Sequence, residues 1–107
     1  MIVRQGDVLL RPVPGIPAVA RIVPRDDGRL VLAYGEVTGH AHVIDASPDE
    51  ATLLSVGERA RFLRLVRDVE LRHEEHATLS VPAGTYQVIQ QRVWTDADEE
   101  NWRYAGD

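Results

Sequence analysis

The chain has 107 residues, a formal charge of −5, an apolar fraction of 44% and a charged fraction of 27%. Those values fit one globular domain with a single modest core. There is no cysteine, and the twelve basic residues are all arginine, so disulfides, thiolate metal sites and lysine Schiff bases are excluded. The negative charge argues against a broad phosphate-binding surface, and so against a nucleic-acid partner. No apolar run approaches the ~20 residues needed to cross a bilayer. Nor does a basic-then-apolar leader open the chain, so a cytoplasmic protein with no membrane partner is expected.

In chain order, Asp7 to Val13 is dense in branched apolar residues and predicts a strand ended by Pro14-Gly15. Val19 to Val23 predicts a shorter one, with Pro24 marking its end or an edge position. Asp26-Asp27-Gly28-Arg29 is a turn of the Asp-Gly type. It feeds Leu30 to Tyr34, and strand character resumes from Val37 to Ile44, interrupted by Gly35 and Gly39. Glycines inside a strand often mark bulges or tight bends, which gather near functional sites. Ser47-Pro48-Asp49-Glu50 has the form of a helix start, but the β-rich residues after it limit this to one turn. Arg59 to Val66 and Val69 to His73 predict further strands. In the second, Val69, Leu71 and His73 share one face and Glu70 and Arg72 the other. Leu79 to Val81 is a brief strand, and Tyr86 to Trp94 a long one. Beyond it the acidic, aromatic tail has Thr95 or Asp96 as cap for a short terminal helix. The fold expected is all-β: a small single-domain barrel or sandwich of about eight strands over residues 1–107.

All four histidines of the chain fall in two short pairs, His40-Ala41-His42 and His73-Glu74-Glu75-His76. Neutral imidazole is the commonest protein ligand for transition metals. A His-x-His pair on a strand turns both rings to one face, because side chains alternate with period two. With a regular pleat after Gly35, that face would also carry Glu36 and Thr38. A His-x-x-His pair can converge from a turn or a bent strand end. Brought together, the pairs would supply three or four nitrogen ligands, suited to Zn²⁺ and compatible with Fe, Mn or Ni. The expected metal ligands are therefore His40, His42, His73 and His76. Glu74 and Glu75 stand beside them as ligand, orienting group or general base, and Glu36 could fix the tautomer of a ligating ring. Glu75 and Glu36 are the expected catalytic carboxylates. In the last strand, Gln90 and Arg92 form either a solvated polar face or a substrate-facing row. Tyr34, Tyr86 and Trp94 are read as wall or core residues.

The motifs at Gln5 to Leu10, Gly35 to His42, His73 to His76 and Pro82 to Arg92 resemble a family of short, uncharacterised bacterial proteins. Those proteins share Gln-Gly-Asp-Val-Leu-Leu, Gly-Glu-Val-Thr-Gly-His-x-His, His-Glu-Glu-His and Pro-x-Gly-x-Tyr-x-Val-x-x-Gln-Arg, and the resemblance spans nearly the whole chain. Where they continue with Glu-Tyr, this chain has Val93-Trp94. A partial resemblance to cupins rests on the strand-borne His40-x-His42 and the Pro82-Ala83-Gly84 turn. The cupin motif's glutamate and later histidine are not matched, so on that resemblance the remaining ligands would come from His73 and His76.

Two functions are compatible with these residues. In one, a metal centre activates water or a substrate oxygen, with a small molecule as partner. In the other, the barrel is a non-catalytic binding or assembly module whose histidines are structural, docking a partner protein through its edge or its tail from Asp96 to Tyr104. Association with copies of itself is compatible with either.

Overall fold

The computed structural model describes residues 1–35 and 39–91. Among them are ten strands: β1 (Val3–Gln5), β2 (Val8–Pro12), β3 (Arg21–Ile22), β4 (Leu30–Tyr34), β5 (Ala41–Asp45), β6 (Ala51–Val56), β7 (Ala60–Leu65), β8 (Val69–His73), β9 (His76–Val81) and β10 (Gly84–Gln90). They form two antiparallel sheets, one ordered β1–β2–β10–β7–β6–β3 and the other β4–β5–β8–β9. The all-β class is as the sequence predicts. A closed barrel is not: no ladder joins the edge strands of one sheet to those of the other among the described residues. The prolines around β3 help to explain this, since Pro17 and Pro24 leave it only two paired residues.

Period-two alternation places the core. Val69 and Leu71 of β8 are buried while Glu70 and Arg72 are exposed, and across the ladder Leu71 lies opposite Ile44 and Leu79. Leu63 of β7 sits between Leu53 and Tyr86 in the other sheet. Val69, Leu71, Ile44, Leu53, Leu63 and Tyr86 join Val8, Leu10, Leu30, Leu32 and Val81 in one apolar cluster drawn from both sheets. Tyr86 is in that core, its hydroxyl donating to the Pro82 carbonyl at 2.7 Å. Tyr34, expected in the wall, is instead 55% exposed at the end of β4.

Local signals account for most of the turns. Asp27 and Gly28 both take positive φ and close the Asp26–Arg29 hairpin, as an Asp-Gly turn requires. Gly6, with φ +57°, leads the two-residue Gly6-Asp7 turn between Gln5 and Val8, the pattern of a type II′ hairpin. The strand expected over 37–44 is shorter: Gly39 takes φ +88°, and β5 starts only at Ala41. The helix expected after Thr95 lies outside the described residues, as do Glu36, Arg92 and Trp94. No helix among the described residues is long and apolar enough to cross a membrane.

Ser47 to Glu50 makes the single turn predicted, with Glu50 Oε1 accepting the Ser47 N–H at 3.1 Å. Both carboxylate oxygens also face Arg67, at 2.6 and 3.1 Å, clipping this turn to the bend after β7. The Arg67 hydrogen bond and then the Ser47 N–H lower the Glu50 pKa to about 2. A depressed carboxylate pKa adds stability that is present above the unfolded value and lost as pH falls. Wild type should therefore exceed Glu50→Gln in urea midpoint at pH 6, with the gap closing as pH falls from about 4.5 toward about 2. Because the pair is solvated, the gap should be modest. An equal gap at pH 6 and pH 2 would contradict this assignment.

Candidate metal centre

The His-x-x-His pair converges for a simple geometric reason. His73 ends β8, His76 opens β9, and the two residues face each other across the hairpin closed by Glu74-Glu75. Directly opposed residues put their side chains on one face of an antiparallel pair. Their ring centroids are 4.7 Å apart. The β8–β9 register shifts between Leu71 and His73, so a bulge or irregularity lies immediately under the pair, where such features re-aim side chains.

The His-x-His pair meets it from β5. His42 lies on the same side of the strand as Ile44, so the row that is polar at one end runs into the core, and His42 is only 1% exposed. Its ring centroid lies 4.3 Å from that of His73 and 6.0 Å from that of His76. His40 precedes the strand, held by the Gly35 N–H donating to its carbonyl at 2.9 Å, with its ring 5.8 Å from that of His73. All four imidazoles thus gather around His73. Donor atoms of His40, His73 and Glu74 lie within 4.8 Å of one another, a spacing that one ion could draw together.

Two glycines let the backbone close on these rings. A Cβ at Gly6 would stand 2.5 Å from His76 Nε2, and one at Gly35 would stand 3.2 Å from both His73 Nε2 and His40 Cβ. The carboxylates divide their tasks. Glu74 accepts the Ala41 N–H at 3.0 Å, and this bond is the main cause of its lowered pKa. Glu75 Oε2 lies 3.2 Å from His40 Nδ1, which is covered and has no aligned hydrogen bond. The Glu75 N–H donates to His73 Nδ1 at 3.0 Å. A neutral His73 then carries its proton on Nε2, so binding a cation must release that proton or displace the N–H.

Sequence reasoning missed the residues around His42. Gln5, 2% exposed at the end of β1, places its Oε1 2.8 Å from His42 Nδ1. Its amide nitrogen donates to the Leu71 and Ala77 carbonyls at 2.9 and 3.0 Å. Asp7 Oδ1 lies 3.1 Å from His42 Nε2. Gln90, expected on a solvated or substrate-facing row, donates to Asp7 Oδ2 at 3.1 Å. The available signal was the Gln5-Gly6-Asp7 run, a polar triplet set between apolar strand residues. Burial, then the neighbouring His73, pushes the His42 pKa down, with Asp7 opposing, so the neutral ring is favoured. Two surface clefts lie elsewhere, one beside Pro24, Tyr34 and Arg61 and the other beside Arg67, Asp68 and Ser80.

Among known protein families, a model described as Domain of unknown function (DUF8820) matches residues 4–91. No curated protein and no solved structure matches the chain.

Proposed function

The chain belongs to the DUF8820 family, and since that family's description names no activity, we propose from the geometry that it is a small metal-binding β protein. The ligands proposed are His40, His42, His73 and His76, with Zn²⁺ the ion that this nitrogen-rich set suits and Fe, Mn or Ni compatible. One observation carries this reading: imidazoles from segments thirty residues apart lie with neighbouring centroids 4.3 to 6.0 Å apart. The donor set is hard to explain as four separate surface residues. The arrangement is cupin-like in pairing a strand-borne His-x-His with ligands from a second element, here the β8–β9 hairpin.

If three of these imidazoles held the ion and one position stayed open, it would supply a bound water with a pKa of about 7 or a Lewis acid for a substrate oxygen. Glu75, beside His40, is then the proposed general base, and a small molecule the partner. A second reading takes the histidines as hydrogen-bonded structural residues of a non-catalytic binding or assembly module that retains no metal. It is favoured by the burial of His42 and by the contacts at both its ring nitrogens.

Tagless protein, stripped with chelator and titrated with Zn²⁺ in a calorimeter, should take up about one equivalent by the first reading and none by the second. Thermal midpoint should rise with added Zn²⁺ by linkage, and His73→Ala should abolish both effects. Absence of uptake, or uptake that survives His73→Ala, sinks the proposal. If bound Co²⁺ exchanges its solvent ligand for azide, an open site with three imidazoles is favoured over a closed one with four.

A further inference from the structure

We propose that a second, separate site lies in the cleft beside β4, where Arg25 takes the carboxylate of a small organic acid and apolar side chains take its body. It stands apart from the metal-binding reading and uses none of the residues on which that reading rests.

The cleft follows from the open architecture. β4 is an edge of the four-stranded sheet and β3 an edge of the six-stranded one. Among the described residues no ladder joins β4 to β3 or β6, so the two sheets part there. The gap has a volume of about 200 Å³. Leu30 and Val31 of β4, Leu53 of β6 and Val23 just after β3 give it apolar walls, and Arg25, Asp26 and Arg61 line it as well. The loop carrying Val23 and Arg25 is pinned, since the Val23 N–H donates to the Leu53 carbonyl at 2.8 Å.

Arg25 is half-buried, and among the described residues its hydrogen bonds go to backbone carbonyls alone. Its Nη1 donates to the Gly28 and Ala46 carbonyls at 3.3 and 2.8 Å, and its Nη2 to the Ala51 carbonyl at 3.2 Å. A guanidinium has five N–H donors. These bonds use both on Nη1 and one on Nη2, which leaves the Nε–H and the second Nη2 N–H. Nε and Nη2 together hold both oxygens of a carboxylate side-on, through charge-assisted bonds. A partly desolvated cation bonded only to neutral acceptors gains most from an anion beside it. Three fixed carbonyls also hold the fork in place before a ligand arrives, which lowers the cost of binding.

The same walls set the ligand class. Asp26 already accepts the Tyr34 hydroxyl. Two arginines against this one aspartate leave one net positive charge in the cleft, which suits a monoanion and not a dianionic phosphate. Volume limits the rest: a dry cavity of about 150 Å³ holds one benzene ring. The cleft therefore admits a single ring, or a short branched chain, bearing a carboxylate.

Benzoate is the probe. At near-neutral pH and constant ionic strength, the full chain titrated with sodium benzoate should show saturable NMR shifts at Val23, Arg25, Val31 and Leu53. The dissociation constant should be on the order of 1 mM. Benzamide, the neutral analogue of the same shape, should bind at least about 10-fold more weakly. Arg25→Lys keeps the charge but not the fork, and should lose a similar factor. Because Arg25 also pins three carbonyls, the benzamide comparison on wild type decides the matter if Arg25→Lys unfolds. Benzamide binding as well as benzoate, inorganic phosphate competing equally, shifts that gather away from the cleft, or no saturable shift at all overturns the proposal. The Zn²⁺ titration decides the metal-binding reading separately.

Discussion

Replacing Gln5 with leucine should destabilise the protein by about 2–5 kcal/mol, because one side chain completes three hydrogen bonds, two of them in the interior. A buried donor or acceptor left without a partner costs about 1–3 kcal/mol. Gln5→Leu strands the Leu71 carbonyl and His42 Nδ1 in the interior, and the Ala77 carbonyl in a partly buried site. Relaxation around the smaller loss at Ala77 keeps the total below a simple sum of three. Against a total stability of roughly 5–15 kcal/mol for a domain of this size, that is a large fraction. Urea denaturation followed by tryptophan-independent circular dichroism measures it. A change below about 1 kcal/mol would show that these bonds are replaced by water at little cost. Gln5→Glu sharpens the test, since it keeps the shape but aims an oxygen at two carbonyls. It should be as damaging as leucine at neutral pH and recover on acidification, when a protonated carboxyl can donate again.

Leu71→Ala should cost about 2–5 kcal/mol and lower the thermal midpoint on the order of 10–20 °C. Leu71 is fully buried and sits in the middle strand pair of its sheet, opposite Ile44 on one side and Leu79 on the other. Removing its branched end opens a cavity that the flanking ladders resist filling. The loss should also reach the imidazole cluster, since His73 lies two residues along the same face and the Leu71 carbonyl receives Gln5. Combined with Gln5→Leu, the two costs should therefore fail to add, as is usual for residues sharing one hydrogen bond. A thermal midpoint within about 3 °C of wild type, or strict additivity in the double variant, would contradict this account of β8.

How much of this was legible in the chain depends on the distance over which each residue finds its partners. The alternation of Val69, Leu71 and His73 was readable because a half-buried strand carries its own period of two, and it put His73 at the end of an apolar row. The Asp27-Gly28 turn was readable because positive φ restricts residue type locally. The regular pleat from Gly35 to His42 was not, because Gly39 turns the chain and His40 lies ahead of the strand. The open sheets were equally hidden: counting strands does not reveal whether the edges meet. At the candidate site, the histidine pairs stood out because both members lie within three residues. Gln5 and Asp7 did not, since Gln5 finds Ala77 across 72 positions and Asp7 finds His42 across 35. Such pairings are decided by sheet docking, which no short window of sequence encodes.

The two hairpin tips, Gly6-Asp7 from one sheet and Glu74-Glu75 from the other, approach the same imidazoles from opposite halves of the molecule. The four imidazoles belong to the β4–β5–β8–β9 half, whereas Gln5 and Asp7, which flank the His42 ring, come from the other. On the proposed metal-binding reading, an ion held by His42 would therefore favour conformations in which the two halves have come together. In refolding, His42 should then reach its final setting after each separate hairpin has formed, when the sheets dock.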